Sequence, residues 1–167
     1  MKNRLFRQVT AIVMSSSVIL LSQISAIAST NQKSTTPNNR LDNTEMMIAQ
    51  SNAISVVAAV AVAVDVLGQA VSVVETRVVR NEIPEELVPI VNQALGDAQR
   101  NFATAQSSAE QGDFFATATA LSTGISVLGD GVVAAVAAGD AGTAQALTEV
   151  LITADEARGG ALAQAGS

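Results

Sequence analysis

The chain has 167 residues, 49% of them apolar, a formal net charge of −6, and neither cysteine nor histidine. Tyr and Trp are also absent and the last lysine is Lys33, so the usual nucleophiles, general bases and soft metal ligands are missing from everything that follows it. A catalyst would have to be assembled from Asp, Glu, Ser, Thr, Asn and Arg alone; carboxylate pairs do this in glycoside hydrolases, but a sugar cleft commonly uses aromatic platforms, and only Phe102, Phe114 and Phe115 lie beyond residue 28.

Residues 1–28 form a secretory signal peptide by pattern. Lys2, Arg4 and Arg7 precede an apolar run from Val9 to Leu21, and small residues at Ala26 and Ala28 supply an A-x-A end, which places cleavage after Ala28. The run is too short and too rich in hydroxyls to serve as a retained anchor, since a bilayer core needs roughly 20 apolar residues. Without cysteine, no lipid-modified N-terminal Cys and no disulfide can form. The expected location is the periplasm or the medium. Cleavage removes three cations and no acid, leaving six basic against fifteen acidic side chains and a net charge of −9. Phosphate backbones and anionic lipid surfaces are held by clustered Lys and Arg, so neither nucleic acid nor an anionic membrane surface is an expected partner.

Residues 29–45, STNQKSTTPNNRLDNTE, are polar, contain Pro37 and read as a flexible spacer. From Met46 to about residue 160 the composition turns to Ala and Val, enough for one domain with a modest core. In Ser51 to Arg80, Val60, Val62, Val64 and Val66 alternate as a half-buried strand would. Across the longer window Val56, Val60, Val64, Leu67, Val71, Val74 and Val78 recur at steps of three and four. Asp65, Gln69, Ser72, Thr76 and Arg80 form a complementary polar stripe, so the segment reads as a long amphipathic helix. Its uncharged stretch, Ala53 to Val64, ends at Asp65, short of a membrane span; no stable span is expected after cleavage.

Pro84, Glu85 and Glu86 mark a helix start, whereas Pro89 cannot sit inside a helix beginning at Pro84. A turn followed by a helix from about Val88 accommodates both prolines, with Leu87, Val91, Leu95, Ala98, Phe102, Ala105 and Ala109 inward. Gly112 ends that helix and Asp113 caps the next, whose inward set is Phe114, Phe115, Ala118, Leu121, Ile125 and Leu128. Gly139 and Asp140 repeat the stop and cap, and Ala144, Leu147, Leu151 and Ala154 give a last stripe to about Arg158. Gly129-Asp130-Gly131 leaves three possibilities open: an end, a kink, or a helix that tolerates two glycines. Residues 161–167, after Gly159-Gly160, should fray.

Four of the seven aspartates follow a glycine, at 97, 113, 130 and 140. Calcium requires roughly six to eight oxygens converging from closely spaced positions, and aspartates ten to seventeen residues apart cannot supply one loop. Gly112, Asp113, Gly139 and Asp140 are therefore assigned as structural caps, with no catalytic, cofactor-binding or metal site. The expected fold is all-α, a small antiparallel bundle of three to five helices. The expected role is that of an exported, non-enzymatic interaction or structural protein of a bacterial envelope, meeting a protein partner or itself through apolar helix faces. The alternative is a carrier holding a small apolar ligand among Phe102, Phe114 and Phe115, which would need a cavity of roughly 300 Å³.

Overall fold

The computed structural model describes residues 39–166. The expected signal peptide with Ala26 and Ala28, and residues 29–38 of the expected spacer, lie outside them. Among the described residues there are four α-helices and no strand: α1 (Asn39–Val79), α2 (Val88–Glu110), α3 (Phe114–Ala137) and α4 (Ala141–Ala165). The unit that carries the core runs over Asn43–Ser167.

The valine alternation in α1 is helical. Val60 and Ala63 are buried while Val62 is 53% exposed, a spacing of three rather than two. The inward stripe is Val56, Val60, Ala63, Leu67, Ala70 and Val74. Val64, Val71 and Val78, expected on that stripe, are half-buried at its edge. Alanine takes two of the innermost places because a methyl side chain lets neighbouring helix axes approach, and the bulkier valines close the flanks. Asp65, Gln69, Ser72, Thr76 and Arg80 all face solvent. At its start α1 takes in residues 39–45, which composition assigned to the spacer; adding a residue to a helix already nucleated by the apolar segment fixes one backbone unit for one hydrogen bond.

The same alternation of four and three runs through the other helices. Leu87, Val91, Leu95, Ala98, Phe102, Ala105 and Ala109 are all buried, as their spacing predicts. α2 begins at Val88, and Pro89 falls in its first turn, where a missing N–H leaves no bond unmade. In α3 the inward residues are Thr117, Leu121, Gly124, Leu128, Gly131 and Ala135. Phe114 is half-buried and Phe115 is 70% exposed, contrary to the expected stripe. The cap sets the rotation of the first turn and points Thr117 inward, its hydroxyl donating to the Asp113 carbonyl at 2.8 Å. In α4 the buried set is Thr143, Leu147, Val150, Ala154, Ala157 and Ala161, while Ala144 and Leu151 are only half-buried. This helix passes through Gly159-Gly160 to Ala165 instead of fraying, because Ala157 and Ala161 are fully buried on either side of the glycines.

Close contacts define the topology. A Cβ placed on Gly124 would lie 2.5 Å from Phe102 Cε1, and one on Gly131 would lie 3.1 Å from both Ala94 Cβ and Leu147 Cδ1. α3 therefore lies between α2 and α4 and runs antiparallel to each. Arg77 lies against Gly142 and Val56 near Gly160, so α1 runs antiparallel to α4. The result is an up-down-up-down bundle with seven-residue periodicity on every inner face. α3 continues through Gly129-Asp130-Gly131; Gly131 is where backbone approach demands a missing side chain, and nothing packs within 4 Å of a Cβ at Gly129.

Candidate functional site: a buried ion pair at one end of the bundle

Three turns close the helices with one device. Gly112 (φ +76°), Gly139 (φ +73°) and Asn81 (φ +54°) each adopt the left-handed conformation just past a helix end. The following amide in each case reaches back to the helix: Asp113 N to Ser108 O, Asp140 N to Ala135 O and Glu82 N to Arg77 O, all at 2.9 Å. The sequence pattern did not mark Asn81, although asparagine is the residue after glycine that most readily takes this conformation. After two of the turns an aspartate caps the next helix, Asp113 accepting from Ala116 N at 2.9 Å and Asp140 from Thr143 N at 3.1 Å.

The two caps differ in their surroundings. Asp113 is exposed, whereas Asp140 is 6% exposed and faces the last turn of α1. Arg77 Nη1 donates to Asp140 Oδ1 at 2.6 Å and to Thr143 Oγ1 at 2.7 Å; the Thr143 hydroxyl in turn donates to Asp140 Oδ2 at 2.7 Å. Arg77 Nε also reaches Glu82 Oε2 at 3.4 Å, on the exposed side. Gly142 makes room for this arrangement, since a Cβ there would stand 2.8 Å from Arg77 Cζ and Nη1. Burial alone would raise the Asp140 pKa. The Thr143 side-chain and backbone hydrogen bonds, with the bond and charge from Arg77, outweigh it and hold the carboxyl below its ordinary value.

Both Asp140 oxygens are thus occupied, and the Thr143 hydroxyl donates to one partner while accepting from another. Such a carboxylate is held ionised and hydrogen-bonded rather than poised to take up and release a proton. Beside it lies a wide, open depression of about 370 Å³, lined by Arg77, Glu82, Pro84 and residues 138–142. Among the described residues no three acids gather as a metal site would require, and no buried side-chain N or O lacks a hydrogen-bond partner. Asp97 pairs with Arg100 and Asp155 with Arg158 on helix surfaces, while Glu85 and Glu86 are exposed. The chemistry of this cluster is structural: it ties the end of α1 to the α3–α4 turn across 63 residues of sequence.

A second feature is apolar surface. Met47, Ile48, Ile54, Val62 and Val79 on α1 and Phe115, Val133 and Val136 on α3 are each more than half exposed. The stretches Gln50–Val79 and Phe114–Ala137 are long and apolar enough, by length and composition, to cross a membrane, and only 28% and 33% of their most apolar windows are buried in the bundle. Asp65 does not shorten α1 enough to fail that test. Of the three phenylalanines assigned to a carrier, Phe102 is buried with its ring against Gly124, Phe114 is half-buried and Phe115 is 70% exposed. No protein-family model, curated protein or solved structure matches this chain.

Proposed function

We propose that this is an exported, non-enzymatic helical protein of a bacterial envelope that works by apposing apolar helix faces to a protein partner or to another copy of itself. The observation that carries the reading is the exposure of large apolar side chains along α1 and α3. Large apolar side chains recurring on the solvent side of a helix support an interaction face on that helix. The signal-peptide pattern of residues 1–28 supports export to the periplasm or medium, and the net charge of −9 after cleavage supports a protein rather than a nucleic-acid partner. The reading requires no cofactor or metal.

The hydropathy of α1 and α3 favours a second reading, in which these faces meet lipid. Against it, Asp65 stands exposed in the middle of α1, and acids inside a membrane are costly. Affinity capture of the tagged, exported protein from the envelope fraction tests the first reading. Wild type is expected to bring down a discrete protein or its own untagged copy, and V62E/V73E to lose it. Recovery of an identical set with both forms overturns the proposal, as does flotation of the purified protein with neutral phosphatidylcholine vesicles in place of protein capture.

A further inference from the structure

The chain contains one Asp-Gly step, Asp130-Gly131, and no Asn-Gly step. That step carries a reaction of its own. The amide nitrogen of the residue after an aspartate can attack the side-chain carboxyl carbon, and glycine permits this best, having no Cβ in the way and a backbone that turns freely. Asp130 is exposed, and among the described residues its carboxylate has no ion-pair partner. In the folded chain the backbone forbids the reaction. Ring closure would swing ψ of Asp130 far from the helical value of about −42° and would take the Gly131 N–H away from the Val127 carbonyl, four residues earlier in α3. By propensity the same three residues are a weak stretch of α3, since Gly129 and Gly131 flank the aspartate. Gly131 is held tightly, with Ala94 and Leu147 each 3.1 Å from where its Cβ would stand, whereas a Cβ at Gly129 would meet open space.

We infer that Asp130-Gly131 is a self-modification site that α3 keeps closed, reacting only in molecules whose helix has opened there and leaving those molecules unable to re-form the seam. Gly131 N bonds to Cγ of the protonated Asp130 carboxyl, the Cγ–OH bond breaks, and the hydroxyl leaves as water with the amide hydrogen. The product is a five-membered succinimide. Water then adds to one of its two carbonyls. Addition at Cγ restores aspartate. Addition at the Asp130 backbone carbonyl breaks its bond to Gly131 N, and the chain then runs through the side chain as isoaspartate. One water is lost and one regained, with no other reactant and no net change of mass. Isoaspartate adds a methylene to the backbone directly before Gly131, where α3 lies closest to Ala94 and Leu147. A helix so lengthened loses its register with both neighbours, because a close-packed seam does not stretch to absorb an extra backbone atom.

Reaction rates in the folded and the unfolded chain test this. Protein recovered after export is held at neutral pH and physiological temperature, with and without urea at an unfolding concentration. An arginine-specific protease then releases residues 101–158 as one peptide, and isoaspartate in it is counted by enzymatic methylation of its free α-carboxylate. The urea-unfolded wild type is expected to accumulate isoaspartate about tenfold or more faster than the folded protein. D130E, whose longer side chain would have to close a six-membered ring, should accumulate none at this step in either state. G129A should slow the folded protein about two- to fivefold through better helix propensity and leave the unfolded rate alone. Equal rates in the two states overturn the inference, as does an unfolded chain that forms no isoaspartate or a signal that persists in D130E. A G129A variant that fails to slow the folded protein, or that changes both states alike, also overturns it, and so does an isomerised chain that refolds to the wild-type thermal midpoint.

Discussion

Asp113 and Asp140 occupy the same local motif, and their difference is a matter of what lies opposite. Asp113→Ala removes an exposed cap and should cost about 1 kcal/mol in urea unfolding. Asp140→Ala removes a cap and also strands the Arg77 guanidinium, whose side chain is 21% exposed, so about 3 kcal/mol is expected, toward the lower end for a broken buried pair. A near-equal loss in the two variants would show that the Arg77 contact contributes little. The pH dependence follows from the direction of the Asp140 shift. Its folded pKa lies below the unfolded value of about 3.9, so the unfolded chain binds more protons in that interval. The stabilisation is complete above the unfolded pKa and is lost as pH falls through the folded one. Denaturation midpoints measured from pH 6 to pH 2 should therefore fall less steeply for Asp140→Ala than for wild type.

Within α3, three glycines that look alike in the sequence should respond oppositely to alanine. Gly129→Ala meets open space and gains helix propensity, so an increase of about 0.5 to 1 kcal/mol is expected. Gly124→Ala drives a methyl to within 2.7 Å of two Phe102 ring carbons, and a loss of about 1 to 3 kcal/mol is expected from overpacking. Gly131→Ala should fall between, at 3.1 Å from Ala94 and Leu147. Stabilities from chemical unfolding of the three variants check the order. A destabilised Gly129→Ala would mean that something outside the chain uses that gap. Two internal boundaries were the legible part: a glycine that can turn left-handed, followed by an aspartate that can cap, writes its own local structure at 112–113 and 139–140. The rotation of each helix was less so. In α1 and α4 part of each stripe was one residue off: Val56, Val60, Leu67, Val74, Leu147 and Ala154 are inward as drawn, but Ala63, Ala70, Thr143 and Val150 are buried in place of Val64, Val71, Ala144 and Leu151.

At the scale of the whole molecule, the signal-peptide reading makes its own prediction: the exported protein should begin at Ser29, and Ala28→Tyr should leave the precursor uncleaved, both read by intact mass. The all-α bundle was legible because hydrophobic period and turn signals agree along the chain. Composition was equally informative, since the missing His, Cys, Tyr and Trp withdrew most catalytic and metal-binding chemistry before any fold was considered. The Arg77–Asp140–Thr143 cluster was not legible. Arg77 appeared as one of few cations on a helix and Asp140 as a cap, and 63 residues separate them. Periodicity and capping are properties of neighbouring residues, so the sequence by itself determined the helical segments, the turns at 112–113 and 139–140 and which reactive side-chain types are missing, while it placed the start of α1 and the end of α4 too far inward. Which alanines lie innermost, which glycine is filled by a neighbour and which charge is buried depend on how closely separate helices approach, and only the tertiary structure decided those.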